Sequence, residues 1–333
     1  MSDVSRRRFL GAAAGAALAW GATGSASAAG ATGTGTDGDW RVVDAPTSRA
    51  LHDVARAGGR VYAVGGGGVV LERTRDGEWR VLAANGPDGN GSNLHAAASD
   101  GERVWVAGAS GALAVLDAAA GDVTTHRAPD DVTNQFTSLA LVESGDDATV
   151  HVADSSGQVH VSRGRRGDGR DWTHVTPGSG AAIRDVTADG ERVVAVDANA
   201  AVFETRDGGA SWDRLGIDDA DAALRGVALA GGTAHVVGGA LYSETGAEDG
   251  WDVADPCGAT LADVEIGPCG CVHAVGANGT VLHRPGHGIP AGATLAKWLG
   301  RWETAHPVSS GLDALVLGDP HVAVGANGTV VER

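Results

Sequence analysis

Apolar residues recur along this chain in short blocks rather than in helical turns. Seven blocks share one form: Val61-Tyr62-Ala63-Val64-Gly65, Val104-Trp105-Val106-Ala107-Gly108, Val150-His151-Val152-Ala153-Asp154, Val193-Val194-Ala195-Val196-Asp197, Ala234-His235-Val236-Val237-Gly238, Val272-His273-Ala274-Val275-Gly276 and His321-Val322-Ala323-Val324-Gly325. Near-continuous apolar runs of this length predict strands buried on both faces. A segment opening with a large apolar residue, such as Leu51, Ile183, Leu224 or Leu261, precedes each block, and a polar turn separates the two. After the block come a Gly- or Asn-rich turn and a third apolar segment, such as 69–72 or 201–204. A fourth follows, usually opening with tryptophan: Trp79, Trp172, Trp212, Trp251 or Trp302. Asn278-Gly279 and Asn327-Gly328 stand between second and third segments. Asn-Gly predicts a two-residue hairpin turn, because both central residues need positive φ. Outside the N-terminus the only helical candidate is a short stretch within 290–299.

The blocks end at residues 65, 108, 154, 197, 238, 276 and 325. A period of roughly 40 to 50 residues built from four short strands predicts a β-propeller with one blade per repeat. The fold class is therefore all-β: seven antiparallel four-stranded blades forming one domain over residues 39–333. The seventh repeat stops after its third strand, Thr329-Val330-Val331-Glu332-Arg333. Its missing fourth strand has a candidate in Asp39-Trp40-Arg41-Val42-Val43, which resembles Glu78-Trp79-Arg80-Val81-Leu82. An N-terminal strand completing the last blade would close the ring and leave no open edge.

Residues 1–28 read differently. Ser5-Arg6-Arg7-Arg8-Phe9-Leu10 leads into a soft apolar run from Gly11 to Trp20 and ends at Ala26-Ser27-Ala28. A charged start, a short apolar middle and a small-x-small end predict an export signal, and the paired arginines mark the twin-arginine type. The run is too short and too rich in Gly and Ala to favour a membrane span. Residues 29–38 predict a flexible linker. The expected location is secreted or cell surface, with no stable transmembrane segment after signal removal, and the expected state is a monomer.

Formal charge is −17, and the only lysine is Lys297. Removing the signal leaves 22 basic against 41 acidic residues, a formal −19. An acidic excess with almost no lysine resembles proteins of salt-loving, haloarchaeal-type microbes, and it speaks to solubility rather than fold. It also argues against nucleic acid, which needs a basic stripe.

Candidate chemistry is sparse. Cys257, Cys269 and Cys271 are the three cysteines. Cys257 precedes the first strand of repeat six and the other two follow it, so about six extended residues, roughly 20 Å, separate them. Cys269-Gly270-Cys271 reads first as unpaired turn residues; a local disulfide or a soft-metal pair are the alternatives. His151, His235 and His273 share one register in separate blades and read as packed core histidines. His283 and His287 flank Pro285-Gly286. No metal set, cofactor or catalytic group is assigned, and no phosphate-binding or zinc-protease motif occurs.

The sharpest local motif is Thr205-Arg206-Asp207-Gly208-Gly209-Ala210-Ser211-Trp212, which matches the Asp-box pattern. Degenerate copies precede Trp79, Trp172, Trp251 and Trp40. Its aspartate predicts a turn brace accepting backbone N–H groups, and its glycines tolerate positive φ. Thr205, Asp207, Gly209 and Trp212 are thus architectural. Asp-box propellers occur in sialidases and in many non-catalytic relatives. The phrase 274–282, Ala-Val-Gly-Ala-Asn-Gly-Thr-Val-Leu, repeats at 323–331, and it resembles the photosystem II assembly/stability factor group. That resemblance implies a seven-bladed propeller binding a protein partner without catalysis.

A sialidase-like hydrolase is the alternative. It would need a tyrosine nucleophile, and only Tyr62 and Tyr242 exist, both within strand phrases. In a propeller the innermost strands line the central channel. The residues after each opening apolar position should therefore approach the axis: His52 and Asp53, His95, Thr137 and Ser138, Arg184 and Asp185, Arg225, Asp263 and Asp313. This varied polar ring is the expected partner-binding surface of an exported, non-enzymatic interaction or assembly module.

Overall fold

The structure, a computed structural model, describes residues 6–8, 40–87, 89–126, 129–144, 147–163, 171–217, 223–245, 250–255, 257–286 and 302–333. It is a ring of seven four-stranded antiparallel blades. Blade 1 comprises Leu51–Ala57, Arg60–Gly65, Val70–Arg73 and Trp79–Ala83; blade 2, Leu94–Ser99, Arg103–Gly108, Leu113–Asp117 and Asp122–His126. Blade 3 comprises Phe136–Ser144, Asp147–Asp154, Val159–Arg163 and Asp171–Val175; blade 4, Ile183–Asp189, Arg192–Asp197, Val202–Thr205 and Asp213–Leu215. Blade 5 comprises Gly226–Ala230, Thr233–Val237, Leu241–Glu244 and Trp251–Ala254; blade 6, Leu261–Ile266, Val272–Gly276, Val281–Arg284 and Glu303–Ala305. Blade 7 comprises Leu312–Val316, Val322–Gly325, Val330–Glu332 and, from the other end of the chain, Arg41–Val43. The innermost strand of every blade contacts that of the next, including blade 7 against blade 1.

Ring closure is as the pattern predicts. Arg41–Val43 pairs antiparallel with Val330–Glu332, with Val42 opposite Val331. The joint is electrostatic as well. Buried Glu332 accepts from Arg41 Nη2 at 2.9 Å, Arg73 Nε at 2.7 Å and the Trp79 indole N–H at 3.0 Å, so one carboxylate ties the closing strand and blade 1 together. These donors hold its carboxyl below the ordinary glutamate range, against the opposing effect of burial. The signal and linker lie outside the described residues, apart from residues 6–8, whose backbone pairs antiparallel with Asp122–His126. The helical candidate at 290–299 also lies outside them.

The hairpin turns take the predicted form. Asn278 and Asn327 both have φ of 58°, each followed by a glycine at positive φ. Those glycines are needed for space too: a Cβ on Gly279 would collide with the Val308 carbonyl and one on Gly328 with that of Thr47. The last residue of each apolar block varies for a related reason. A Cβ at Gly65, Gly108, Gly276 or Gly325 would strike the backbone just before its own inner strand. Blades 3 and 4 carry Asp154 and Asp197 there instead. Each aspartate accepts two N–H groups of the following turn, from Ser156 and Gln158 and from Asn199 and Ala201. His160 Nε2 and Asn134 Nδ2 also reach Asp154, and these partners hold its carboxyl well below the usual range despite burial.

The core is seven apolar clusters, each between two blades. Six are covered at the periphery by a tryptophan: Trp79, Trp172, Trp212, Trp251, Trp302 and Trp40. Among the described residues the seventh, between blades 1 and 2, has none. Val123 pairs with Leu116 as Trp79 pairs with Arg73 and Trp172 with Ser162, so a valine occupies the tryptophan position. An apolar crevice lined by Val70, Leu82, Ala83, Val106, Leu116 and Val123 opens there.

One sequence expectation is corrected. Cys269 and Cys271 are not unpaired but bonded to each other, with Cα atoms 5.3 Å apart. The tight turn folds the chain back, with Gly267 N–H on Cys271 O and Gly270 N–H on Gly267 O, both at 2.8 Å, and brings the two within disulfide range. Cys257 is a free thiol.

Candidate functional site

Each inner strand opens on a fully buried anchor: Leu51, Leu94, Phe136, Ile183, Leu224, Leu261 or Leu312. In six blades the pairing register then shifts, so that the residue after the anchor drops out of the ladder. Such a bulge re-aims one side chain. The residues so released are His52, His95, Thr137, Arg184, Ala262 and Asp313; Arg225 holds the same position in blade 5, where the ladder begins at Gly226. They form a first ring at one mouth of the channel. The following residues form a second ring one step deeper: Asp53, Ala96, Ser138, Asp185, Gly226, Asp263 and Ala314.

The first ring is open and varied. Arg184, Arg225 and Asp313 are exposed, and His52 and His95 partly so. The imidazoles of His52 and His95 face each other across blades 1 and 2, centroids 5.1 Å apart. His52 Nδ1 lies 4.0 Å from Asp313 Oδ2 of blade 7. Partial burial raises the Asp313 carboxyl, while His52 and Arg225 act the other way. Burial and the nearby His52 lower His95. Thr137 is engaged, donating to the Ile183 carbonyl at 2.8 Å. The structure thus brings His52, His95 and Asp313 into one cluster within electrostatic reach of Arg225.

The second ring is committed to the fold. Asp53 accepts from Val54 N–H and, across to blade 2, from Ala97 N–H, both at 2.7 Å. Asp185 accepts from Val186 N–H at 2.9 Å, from the Ser138 hydroxyl of blade 3 at 2.6 Å and from Val227 N–H of blade 5 at 2.8 Å. Asp263 accepts from Val264 N–H and from Leu315 N–H of blade 7, both at 2.7 Å. Each acid braces its blade to the next, and the next blade offers Ala96, Gly226 or Ala314 at the equivalent position. Seven is odd, so one blade cannot follow this alternation; there Ser138 turns its hydroxyl back to Asp185.

These acids keep some accessible surface in the channel, yet protein walls enclose their carboxyl groups. Desolvation and mutual repulsion outweigh the hydrogen bonds, so Asp53 is pushed up to about 7, and Asp185 and Asp263 are raised also. Glu265, two residues beyond Asp263, is pushed up to about 8 by burial beside Asp53 and Asp185. The sequence reading passed over Glu265. Its signal was present: the matching positions hold Ala55, Ala98, Ala140, Thr187, Ala228 and Val316.

The Thr205–Trp212 turn stands apart from the channel. Asp207 accepts from the backbone N–H of Ala210 and Ser211 and the Ser211 hydroxyl, while Gly209 N–H donates to Thr205 Oγ1. These bonds hold the exposed Asp207 well below the carboxylate range. Gly208 and Gly209 take φ of 71° and 91°, and Trp212 packs onto the cluster between blades 3 and 4. Both tyrosines are buried between blades, Tyr62 with its hydroxyl 3.3 Å from Glu72, and neither faces the channel mouth.

No protein-family model and no curated protein matches the sequence. Solved structures match over 88% of the chain. YCF48 from Cyanidioschyzon merolae is similar at 16% identity with a TM-score of 0.66 over 98% of that chain. YCF48 bound to D1 peptide is similar at 14% identity and 0.68 over 96%. A catalytically inactive virginiamycin B lyase from Staphylococcus aureus with quinupristin is similar at 11% identity and 0.68 over 98%. At these identities the likeness is one of fold.

Proposed function

We propose that the chain is an exported, non-enzymatic propeller that holds a protein segment on its first channel ring, as an interaction or assembly module. One observation carries this reading. The exposed residues of that ring, Arg184, Arg225 and Asp313, are released from the ladder by bulges or sit at its edge, whereas the residues one step deeper are consumed by blade-to-blade bonds. Two exposed arginines, one of them within electrostatic reach of Asp313, on the same ring as an imidazole pair suit a mixed-charge peptide surface. Two similar structures are of YCF48, one with D1 peptide bound, and support a peptide-binding use of the fold. A third is a lyase, so the fold admits catalysis; burial of both tyrosines opposes a sialidase-like reaction.

Pull-down from native cell envelopes tests the reading. Arg184→Ala combined with Arg225→Ala should remove captured partners while leaving the melting temperature within about 1 °C. Unchanged capture places the binding surface elsewhere. A glycosidase panel in high salt should stay at background. Export through the twin-arginine route predicts that Arg6→Lys with Arg7→Lys retains the protein in the cytoplasm. The salt-adapted, haloarchaeal-type surface predicts a melting temperature that climbs with KCl.

A further inference from the structure

Blade 6 carries a set of side chains that neither the channel nor the core accounts for. Cys271 and His273 are two residues apart at the start of Val272–Gly276, so they share one face of the strand. His283 lies directly opposite His273 in the neighbouring strand and therefore shares that face. One ligand atom from each of Cys271, His273 and His283 falls within 4.8 Å of the other two. Edges of a tetrahedral zinc site run roughly 3.3–3.8 Å, so a modest closure suffices.

Two further observations point to a ligand, and two more describe the walls around it. His273 is 4% exposed, and its Nδ1 has no hydrogen-bond partner. A buried imidazole nitrogen with nothing to bond is costly in a purely structural role. His283 Nδ1 lies 3.3 Å from Glu303 Oε2, the carboxylate–imidazole pairing that orients a metal-bound histidine and leaves Nε2 for the ion. His321 of blade 7 closes the side, its ring edge-on to His273 at 5.1 Å and its Nδ1 held by Gly318 N–H. Gly286 roofs the cysteine turn so closely that a Cβ would collide with Cys269 O and Cys271 N.

We propose that Cys271, His273 and His283 form a redox-gated, three-ligand site for a zinc-class cation. While Cys269 and Cys271 are bonded to each other, no thiolate is free and the site is closed. A small-molecule dithiol opens it: the reductant closes to its cyclic disulfide, two electrons break the protein S–S bond, and two protons pass to the cysteine sulfurs. Metal binding then releases the Cys271 proton to solvent as its thiolate bonds the cation, while Cys269 keeps its own. A sulfur-plus-imidazole donor set favours zinc over magnesium or calcium.

Cobalt(II) reports on the site directly. The full chain, reduced with a dithiol and freed of reductant under anaerobic conditions, should bind one cobalt ion with tetrahedral visible bands and a thiolate-to-cobalt charge-transfer band. Equimolar zinc should bleach both. Cys271→Ser should abolish the charge-transfer band, and His283→Gln, at a partly exposed position, should weaken binding about tenfold or more without lowering the metal-free melting temperature. Glu303→Gln should weaken it by a similar factor. The oxidised protein should bind no cobalt in this manner. The proposal is overturned if the reduced protein shows no thiolate–cobalt band, if Cys271→Ser or His283→Gln binds as well as the parent, or if oxidised and reduced protein bind alike.

Discussion

The hub and the periphery of this disc meet the same seven-fold packing problem with different chemistry. At the periphery a tryptophan on the outer strand covers the seam with the preceding blade, six times in seven. At the hub, three of the seven seams are held by carboxylates that reach one blade across to a backbone N–H. Apolar area does the work where the blades splay apart; directional bonds do it where backbones crowd. The hub solution has a consequence for function. It occupies the second channel ring and leaves the exposed residues of the first, Arg184, Arg225 and Asp313, one residue away from that duty.

The periphery offers the strongest challenge. Deleting residues 39–45 removes a strand, a tryptophan seal and the Arg41–Glu332 pair together, and should lower the melting temperature by about 10 °C or more in differential scanning calorimetry. An unchanged melt would refute closure by that strand. At the hub, Asp185→Ala strands the Val227 N–H and leaves Val186 N–H and the Ser138 hydroxyl with only their longer contacts to each other. It should cost about 2–3 kcal/mol, whereas Arg184→Ala, its immediate neighbour, should stay within about 0.5 kcal/mol in chemical denaturation. Equal effects would erase the distinction between the two rings.

The hub acids also predict a pH dependence whose sign follows from their raised values. Asp53 at about 7 and Glu265 at about 8 keep protons in the folded state that the unfolded chain releases near pH 4. Their contribution to stability is fully present in acid below that point and is lost as pH rises through 7 to 8. Asp185 and Asp263 face the same channel and share the direction. Melting temperature should therefore fall by several degrees between about pH 5 and pH 9, and Glu265→Gln should flatten that limb. The opposite sign holds for Asp154 and Glu332, lowered by their donors, whose contribution disappears as acid protonates them. The smallest effect concerns the unsealed seam. Val123→Trp should fill the crevice between blades 1 and 2 and add about 1 kcal/mol; a lower melt would mean that the crevice is too tight for an indole.

Much of the fold was legible because a propeller is local. Each blade is built from consecutive strands, so the block pattern, the Asn-Gly turns and the tryptophans each announce their neighbours in the sequence. Even the pairing that closes the ring, Arg41–Val43 with Val330–Glu332, left a trace in the last repeat. The channel was legible only in part. Listing His52 with Asp53 and Arg184 with Asp185 treated adjacent residues as one surface, because a bulge that separates them has no sequence signature of its own here. The cysteine pair was misread for a similar reason, since spacing alone does not say how sharply a turn closes.

The sequence by itself determined the number of blades, the order of strands within them and the place of ring closure. Only the tertiary structure decided which channel-ring residues are bonded across blades and which remain available, and which histidines converge on Cys271. The physical reason is one of range. Strand periodicity and turn chemistry act over a few residues and repeat in every blade. Hydrogen bonds from Asp185 to Val227, or proximity of His273 to His321, join positions more than 40 residues apart, and exist only once the ring has closed.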